Sequence, residues 1–177
     1  MNLWFRLTHV VIASLWAARL PLDGEGQLSF RVWPSDLDIN LHMTNSRYLA
    51  LMDLGRVSLI FRCGLWPVVR RDRLAPLVAG TMIRFRRPLK PFQKFTVISR
   101  CLGWDAKWLY FEHKILSGEN VAAHAIAKTA FLGKDGTVAP DQLAADIGFK
   151  GVSPVLPEWI ADWQAADEAA MGRKVQP

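Results

Sequence analysis

Residues Asp36 to Tyr48 read DLDINLHMTNSRY and contain most of the candidate catalytic groups of the chain. This stretch places two aspartates, a histidine and an asparagine between a short alternating run and an amphipathic segment. The apolar residues of that segment favour a helix: Leu49, Met52, Val57 and Ile60. Because a helix N-terminus offers unpaired backbone N–H groups, the carboxylates before it lie where a carbonyl could be polarised and attacked.

The composition narrows the class of protein. With 177 residues, 51% of them hydrophobic, the chain forms one domain that buries roughly two-thirds of its unfolded surface. Cys63 and Cys101 form no CxxC motif, which excludes a cysteine metal site and favours a reducing, cytoplasmic compartment. The absence of Gly-x-Ser-x-Gly and His-Glu-x-x-His patterns excludes a serine-hydrolase elbow and a zinc-protease site.

The positive charge is concentrated in one part of the chain. The formal net charge is +6, and residues 62–94 contain nine basic residues against one acid, Asp72. A patch of this kind attracts polyanions such as nucleic acid, anionic lipid or a phosphorylated cofactor. A solvated face that keeps the protein soluble would explain the same charges.

Residues 1–22 form a separate N-terminal segment that is apolar from Leu3 to Trp16, apart from polar residues such as Arg6 and His9. These interruptions and Pro21 disfavour a signal peptide, and the run is too short for a transmembrane helix. We expect a helix that packs on the domain or on a partner subunit. An interfacial membrane helix is the alternative.

Alternation, turn residues and proline stops predict five strands and one long helix. The helix begins at Thr44 or Asn45 and ends near Cys63, before Gly64. The strands are expected at 27–33, 77–87, 94–102, 107–116 and 121–132, with a basic loop before the second. The last strand is rich in helix-favouring alanine, but the turns on both sides favour a strand with Ala123, Ala125 and Ala127 on one face.

The C-terminal part is predicted to be helical. Pro140 and Pro157 can each open a helix, and the second helix carries an apolar stripe: Trp159, Trp163, Ala166 and Ala170. The elements together predict an α+β protein, in which an antiparallel sheet of about five strands wraps around one long helix. We place the main domain at 27–138 and a C-terminal extension at 139–177.

The motif resembles that of a known family. The pattern Asp36-x-Asp38-x-x-x-His42-x-x-Asn45-x-x-Tyr48, with Asp53 and Arg56 behind it, is similar to the signature of hotdog-fold thioesterases of the 4-hydroxybenzoyl-CoA thioesterase family. The Arg86-Arg87-Pro88 segment and the Gly103-Trp104 turn resemble its acyl-CoA thioesterase branch. The resemblance covers about residues 27–133. It implies a hotdog fold, hydrolysis of an acyl-CoA in fatty acid metabolism, and no metal or other cofactor.

The resemblance also implies roles for the motif residues. The catalytic acid lies ten residues before the motif tyrosine, at Asp38. It would attack the thioester carbonyl or act as general base for a water, while N–H groups at the helix start hold the oxyanion. Asn45, where some relatives carry histidine, would orient water or the thioester. His42 would enter the chemistry or orient the loop, and Thr44 and Tyr48 would border the substrate.

Structural explanations compete with several of these roles. Asp36 is better explained as a turn or cap aspartate, because it follows Trp33-Pro34-Ser35 where the chain must bend. Asp53 is better explained by a local ion pair with Arg56, three residues on, but it remains the alternative acid. His113 and His124 are expected to be packed or surface residues.

The basic residues acquire a specific role under this hypothesis. Coenzyme A is a polyanionic nucleotide, and its phosphates would be held by a basic cluster: Arg84, Arg86, Arg87, Lys90 and Lys94. Trp66, Trp104 and Trp108 would shape an acyl channel or fill the core. We expect no nucleic-acid partner.

Dimerisation and two other functions complete the hypothesis. One sheet on one helix leaves an exposed edge, which hotdog proteins cover by dimerising, so we expect a homodimer or a dimer of dimers. The first alternative function is a non-catalytic protein that binds acyl-CoA or lipid and contacts membrane through the N-terminal helix. The second is a hotdog dehydratase with His42 as base.

Overall fold

The computed structural model describes residues 3–172, in which one antiparallel sheet surrounds a long helix. The helices are α1 (Leu3–Trp16), α2 (Asn45–Arg62), α3 (Leu65–Arg71), α4 (Pro140–Asp146) and α5 (Glu158–Met171). The strands are β1 (Glu25–Arg31), β2 (Ala75–Phe85), β3 (Lys94–Trp104), β4 (Leu109–Ser117), β5 (Asn120–Gly133) and β6 (Gly136–Val138). The strand order is β1-β3-β4-β5-β2, and the short β6 pairs with β5. The predicted α+β class is confirmed.

Most predicted elements are confirmed, including the strand assignment of the alanine-rich β5. Ala123, Ala125 and Ala127 are each at most 2% exposed, so burial in the sheet outweighs their helix propensity. The prediction of a basic loop before β2 is wrong in part, because residues 65–71 form α3. This helix follows Gly64, which adopts a left-handed φ of 87°. Gly103 and Trp104 belong to β3 rather than to the turn, which lies at residues 105–108.

Helix α2 lies very close to the sheet. Its buried side chains include Leu51, Met52 and Leu54, which share a core with Val97 of β3. At Gly55 the approach is so close that a Cβ atom would lie 2.2 Å from the Ser99 Oγ. The glycine is therefore required for this helix–sheet distance.

The two terminal helices cover different parts of this assembly. Helix α1 packs on α2, where the Ser14 and Ser58 hydroxyls form a buried hydrogen bond of 2.8 Å. Helix α5 packs on the outer sheet face, with Ile160 and Trp163 against Tyr110. The predicted stripe on α5 is therefore wrong except for Trp163. The other three stripe residues are exposed, because the inward face carries the buried Ile160 instead.

Strand β2 forms one edge of the sheet and is exposed along nearly its whole length. Four large apolar side chains of this strand are 40–48% exposed: Leu77, Val78, Met82 and Phe85. A long apolar edge strand carries unpaired backbone groups that favour pairing with another strand.

No helix within residues 3–172 has both the length and the apolarity to cross a membrane.

A neutral histidine is buried between α2 and the sheet. His113 is 1% exposed, and its Nδ1 lies 2.8 Å from the Ser99 Oγ while its Nε2 lies 3.5 Å from the Arg56 Nη1. Since a guanidinium can only donate, Nε2 is the acceptor and Nδ1–H donates to the serine. Burial, followed by the positive charge of Arg56, lowers the pKa of His113 to about 3.

This histidine makes stability depend on pH in a defined window. The pKa of His113 is lowered by folding from 6.5 to about 3, so the unfolded chain binds the extra proton first as the pH falls. The free energy of unfolding should therefore decrease from pH 6.5 downwards by about 1.4 kcal/mol per pH unit from this group. In His113→Gln, urea unfolding at several pH values should show a shallower slope. Ile115→Val is the control, because it weakens the core without removing a titrating group.

Candidate active site

The loop that carries Asp38 is a tight turn closed by its own backbone. The Asp38 N–H donates to the His42 carbonyl over 2.9 Å, and Leu41 adopts a positive φ of 57°. The Asp38 Oδ1 accepts hydrogen bonds from the N–H groups of Asn40, at 2.8 Å, and His42, at 3.3 Å. The carboxylate of Asp38 is therefore held in a fixed position on an exposed loop.

Two backbone hydrogen bonds connect this loop with its surroundings. The Thr44 N–H donates to the Asp36 carbonyl over 2.9 Å, directly before α2 begins at Asn45. The Met43 N–H donates to the Leu89 carbonyl over 2.9 Å, in the segment that follows β2. The loop thus lies between the N-terminus of α2 and the segment that carries Arg86 and Arg87.

These three parts surround a cavity of about 330 Å³. It is lined by Asp38, His42, Met43, Asn45, Tyr48, Phe85, Arg86, Arg87 and Pro88. The structure thus brings together six of the nine predicted site residues. Thr44 and Arg84 are not among the lining residues: Thr44 contacts the Ser46 hydroxyl at 3.3 Å, and Arg84 is an exposed residue of β2 opposite His124.

Tyr48 fixes the wall of this cavity. Its side chain is 2% exposed, and its hydroxyl accepts from the Leu89 N–H at 3.1 Å and donates to the Arg87 carbonyl at 3.4 Å. Burial raises the pKa of Tyr48 despite the opposing Leu89 hydrogen bond. The ring thus belongs to the core, and its hydroxyl is bonded at the edge of the cavity. The tyrosine remains neutral and holds the two arginines beside the loop.

Asp36 lies in a buried ion pair. Its carboxylate is 1% exposed and binds both terminal nitrogens of Arg6 in α1, at 2.7 and 3.3 Å. Arg47 approaches the same carboxylate at 3.6 Å, and the Trp33 N–H donates to it over 2.9 Å. The expected turn role is confirmed by the Trp33 contact, whereas the arginine partner was not predicted.

Asp53 lies outside the cavity that contains Asp38. As predicted, it forms an ion pair with Arg56 one turn later in α2, and its side chain is 60% exposed. It lines two neighbouring cavities of about 260 and 500 Å³ instead. Asp38 and Asp53 therefore line different cavities, so substitution of each in turn can separate their roles.

The three tryptophans have different environments. Trp66 stacks on Phe61 beside an apolar cavity of about 280 Å³. Trp104 is 4% exposed and belongs to the core, with its indole N–H bonded to Asp141 at 2.7 Å. Trp108 lies beneath the Lys107 and Lys128 ammonium groups. The cavity beside Trp66 shares no lining residue with the cavity that contains Asp38.

Neither cysteine has the properties of a nucleophile. Both are free thiols. Burial raises the pKa of Cys63 to about 11 and that of Cys101 to about 12, so both are protonated at neutral pH. Within residues 3–172, no cluster of three or more histidine, cysteine, aspartate or glutamate residues could hold a metal ion.

The fold and this cavity define the class, which is the hotdog fold of thioesterase-like proteins. A hypothetical protein from Staphylococcus aureus, solved in complex with CoA, superimposes with a TM-score of 0.64 at 14% identity, covering 81% of this chain and 96% of that one. At this identity the likeness concerns the fold alone.

Sequence comparison identifies the family. The model of the Thioesterase-like superfamily matches residues 32–164, and the chain belongs to that superfamily. It is 33% identical to Protein THEM6 of Xenopus laevis over 75% of its own length and 63% of that protein. It is 29% identical to the thioesterase lcsJ of Purpureocillium lilacinum over 83% of its length and 55% of that protein. The chain thus spans little more than half of these relatives.

Sequence reasoning missed the contribution of α1 to the site. Arg6 is 4% exposed in a helix without an acidic residue, and a buried arginine requires an anionic partner. The signal in the sequence is the single arginine within the apolar segment Leu3–Trp16, but it does not select Asp36 from the other acids. Arg6 also donates to the Arg31 carbonyl at 3.0 Å, so one side chain connects α1, β1 and the loop.

Breaking this pair should destabilise the protein and disturb the loop. Arg6→Met leaves the buried Asp36 carboxylate with the Trp33 N–H and, as its cation, only the more distant Arg47, so we expect a loss of about 3 kcal/mol in the free energy of unfolding. The double variant Arg6→Met/Asp36→Leu should recover much of this loss, because it leaves no buried unpaired charge. Urea denaturation of the wild type and three variants measures the coupling. Additive effects of the two substitutions would contradict the pair.

Proposed function

We propose that this protein hydrolyses an acyl-CoA thioester to the free acid and CoA. The observation that carries the proposal is the Asp38 carboxylate, held in a cavity beside the N-terminus of α2. Membership of the Thioesterase-like superfamily supports thioester hydrolysis, and the resemblance to 4-hydroxybenzoyl-CoA thioesterases supports Asp38 as the acid. Asn45 and His42 line the same cavity and would orient the thioester or the water.

The reaction can use Asp38 in two ways. As a general base, the carboxylate takes a proton from water while the water oxygen bonds to the thioester carbon. As a nucleophile, the carboxylate bonds to that carbon itself and forms an anhydride, which water then hydrolyses. In both cases the C–S bond breaks and CoA leaves as the thiolate. Backbone N–H groups in the first turn of α2 would stabilise the oxyanion.

Replacing Asp38 by asparagine should abolish turnover without altering the loop. The asparagine carbonyl can still accept from the Asn40 and His42 N–H groups, but the amide neither attacks nor takes up a proton. We expect kcat/KM to fall at least about 100-fold. Free-thiol release from short, long and aromatic acyl-CoAs measures this fall.

The matched control is Asp53→Asn, which changes the other candidate acid in the same chemical way. It should retain activity within a few-fold of the wild type, because Asp53 lies outside the Asp38 cavity. A reversed result would assign catalysis to Asp53. If the wild type turns over no acyl-CoA but binds it, the non-catalytic alternative replaces this proposal.

Arg86 and Arg87 are proposed to bind the phosphates of CoA. Both side chains are exposed and line the Asp38 cavity, and the N–H groups of both residues donate to the Ala122 carbonyl at 2.8 and 3.1 Å. Their backbone is therefore fixed while their side chains extend into solvent. Guanidinium groups in this arrangement form charge-assisted hydrogen bonds with phosphate oxygens.

Removing these charges should weaken substrate binding and leave the rate of the chemical step nearly unchanged. In Arg86→Gln/Arg87→Gln we expect KM for an acyl-CoA to rise about tenfold, with kcat changed little. The corresponding acyl-pantetheine, which lacks the nucleotide, should show no such rise. Arg84→Gln is the matched control, because Arg84 lies outside the cavity lining. Equal losses with both substrates would contradict phosphate binding.

We further propose that two chains pair through their β2 edges. The edge strand is 11 residues long, and its exposed apolar side chains would be covered by a second copy. Phe85 and Arg86 lie at the end of this strand and line the Asp38 cavity, so a second copy would border the site. The pairing would join two sheets and place one site near each end of the shared edge.

Charges on this edge should separate the chains. Leu77→Glu/Met82→Glu places carboxylates on an interface that is proposed to be apolar, so the solution mass should fall from twice 20.0 kDa to 20.0 kDa. Size-exclusion chromatography with light scattering measures the mass. The matched control is Val152→Glu/Val155→Glu, at two exposed apolar positions outside the sheet. A wild-type monomer at micromolar concentration would contradict the pairing.

A further inference from the structure

Helix α1 carries apolar side chains on its outward face as well as on its inward face. The inward face carries the buried Val10 together with Arg6 and Ser14, which are both at most 5% exposed and both paired inside the protein. Its outward face carries five large apolar side chains that are 54–88% exposed: Trp4, Phe5, Ile12, Leu15 and Trp16. A surface helix normally directs its apolar stripe inward and its polar residues outward. The outward face of α1 is therefore built to contact something less polar than water.

The outward face of α1 carries few polar groups that require hydrogen bonds with water. The Thr8 hydroxyl donates to the Trp4 carbonyl of its own helix over 2.9 Å. The face carries no charged side chain besides the ionisable His9, and no acidic residue occurs from Leu3 to Leu22. The helix is 14 residues long, so it presents an apolar strip of about 21 Å.

Basic residues surround the end of the strip. Arg19 is exposed after the helix, and the Arg62 Nε donates to the Ala18 carbonyl at 3.0 Å. The whole chain carries a net charge of +6. An apolar helix face bordered by cations complements a surface that is apolar inside and negatively charged at its boundary. Tryptophans at both ends of the strip fit such a boundary, because the indole ring is apolar and carries one N–H donor.

We infer that the outward face of α1 docks on the surface of an anionic phospholipid bilayer. The helix lies in the plane of the interface and inserts Trp4, Phe5, Ile12, Leu15 and Trp16 among the lipids. The Arg6–Asp36 and Ser14–Ser58 pairs hold its other face on the protein. Docking would place the Asp36–Met43 loop, which is bonded to α1, close to the bilayer. The inference concerns binding alone and does not depend on thioester hydrolysis.

The test is flotation with vesicles of phosphatidylcholine mixed with phosphatidylglycerol, compared with phosphatidylcholine alone. The wild type should bind the mixed vesicles at least about tenfold more tightly than the neutral ones, and high salt should reduce this difference. Trp4→Gln/Ile12→Gln/Trp16→Gln should lose binding at least about tenfold. Its thermal midpoint should stay close to that of the wild type, because these side chains are 69%, 54% and 88% exposed.

Two controls make the result specific. Val152→Gln/Val155→Gln changes apolar side chains that are 86% and 97% exposed elsewhere, and it should float like the wild type. Asp38→Asn should also float like the wild type, which separates this test from that of the proposed activity. Absence of wild-type flotation, or undiminished flotation of the triple variant, would overturn the inference. A drop in solution mass in the triple variant without lipid would assign the face to a second copy instead.

Discussion

The close contact between α2 and β3 at Gly55 is the constraint on which the other positions depend. A side chain at residue 55 would collide with the Ser99 hydroxyl, so the helix can lie this near to the sheet only with glycine there. The short distance buries Leu51, Met52 and Leu54 against the strands. It also brings Arg56 within reach of His113, which Ser99 orients from the other side. Glycine, serine, histidine and arginine thus form one packing unit between helix and sheet.

The N-terminal end of α2 extends from this unit to the Asp36–Met43 loop. Polar contacts, rather than apolar packing, hold that loop in place. Tyr48 holds the segment after β2, and Asp36 accepts the Thr44 N–H and the Arg6 guanidinium. Such buried polar groups are tolerated because each is bonded. The terminal helix α1 therefore forms part of the support of the loop, although it lies far from it in the sequence.

The sequence predicted those features that depend on local chemistry. The limits of α2 and the hairpin strands follow from capping residues, alternation and glycine positions, all of which act within a few residues. Helix α3 was missed because its basic residues resemble a loop and its Pro67 weakens helix propensity. The inward residue Ile160 and the partner of Arg6 could not be predicted, since both depend on contacts between distant segments. The same holds for Arg84, whose position outside the cavity depends on strand register, and for Thr44, whose hydroxyl contacts Ser46.

The buried histidine affects how the kinetics of this protein can be interpreted. Because the pKa of His113 lies near 3 and that of Tyr48 is raised, neither group changes its charge near neutral pH. These two buried groups therefore keep their charges constant while the solution is titrated around neutrality. An inflection in a pH–rate profile around neutrality would then originate in groups closer to solvent. Kinetic measurements near neutral pH can therefore be interpreted without a contribution from the buried histidine.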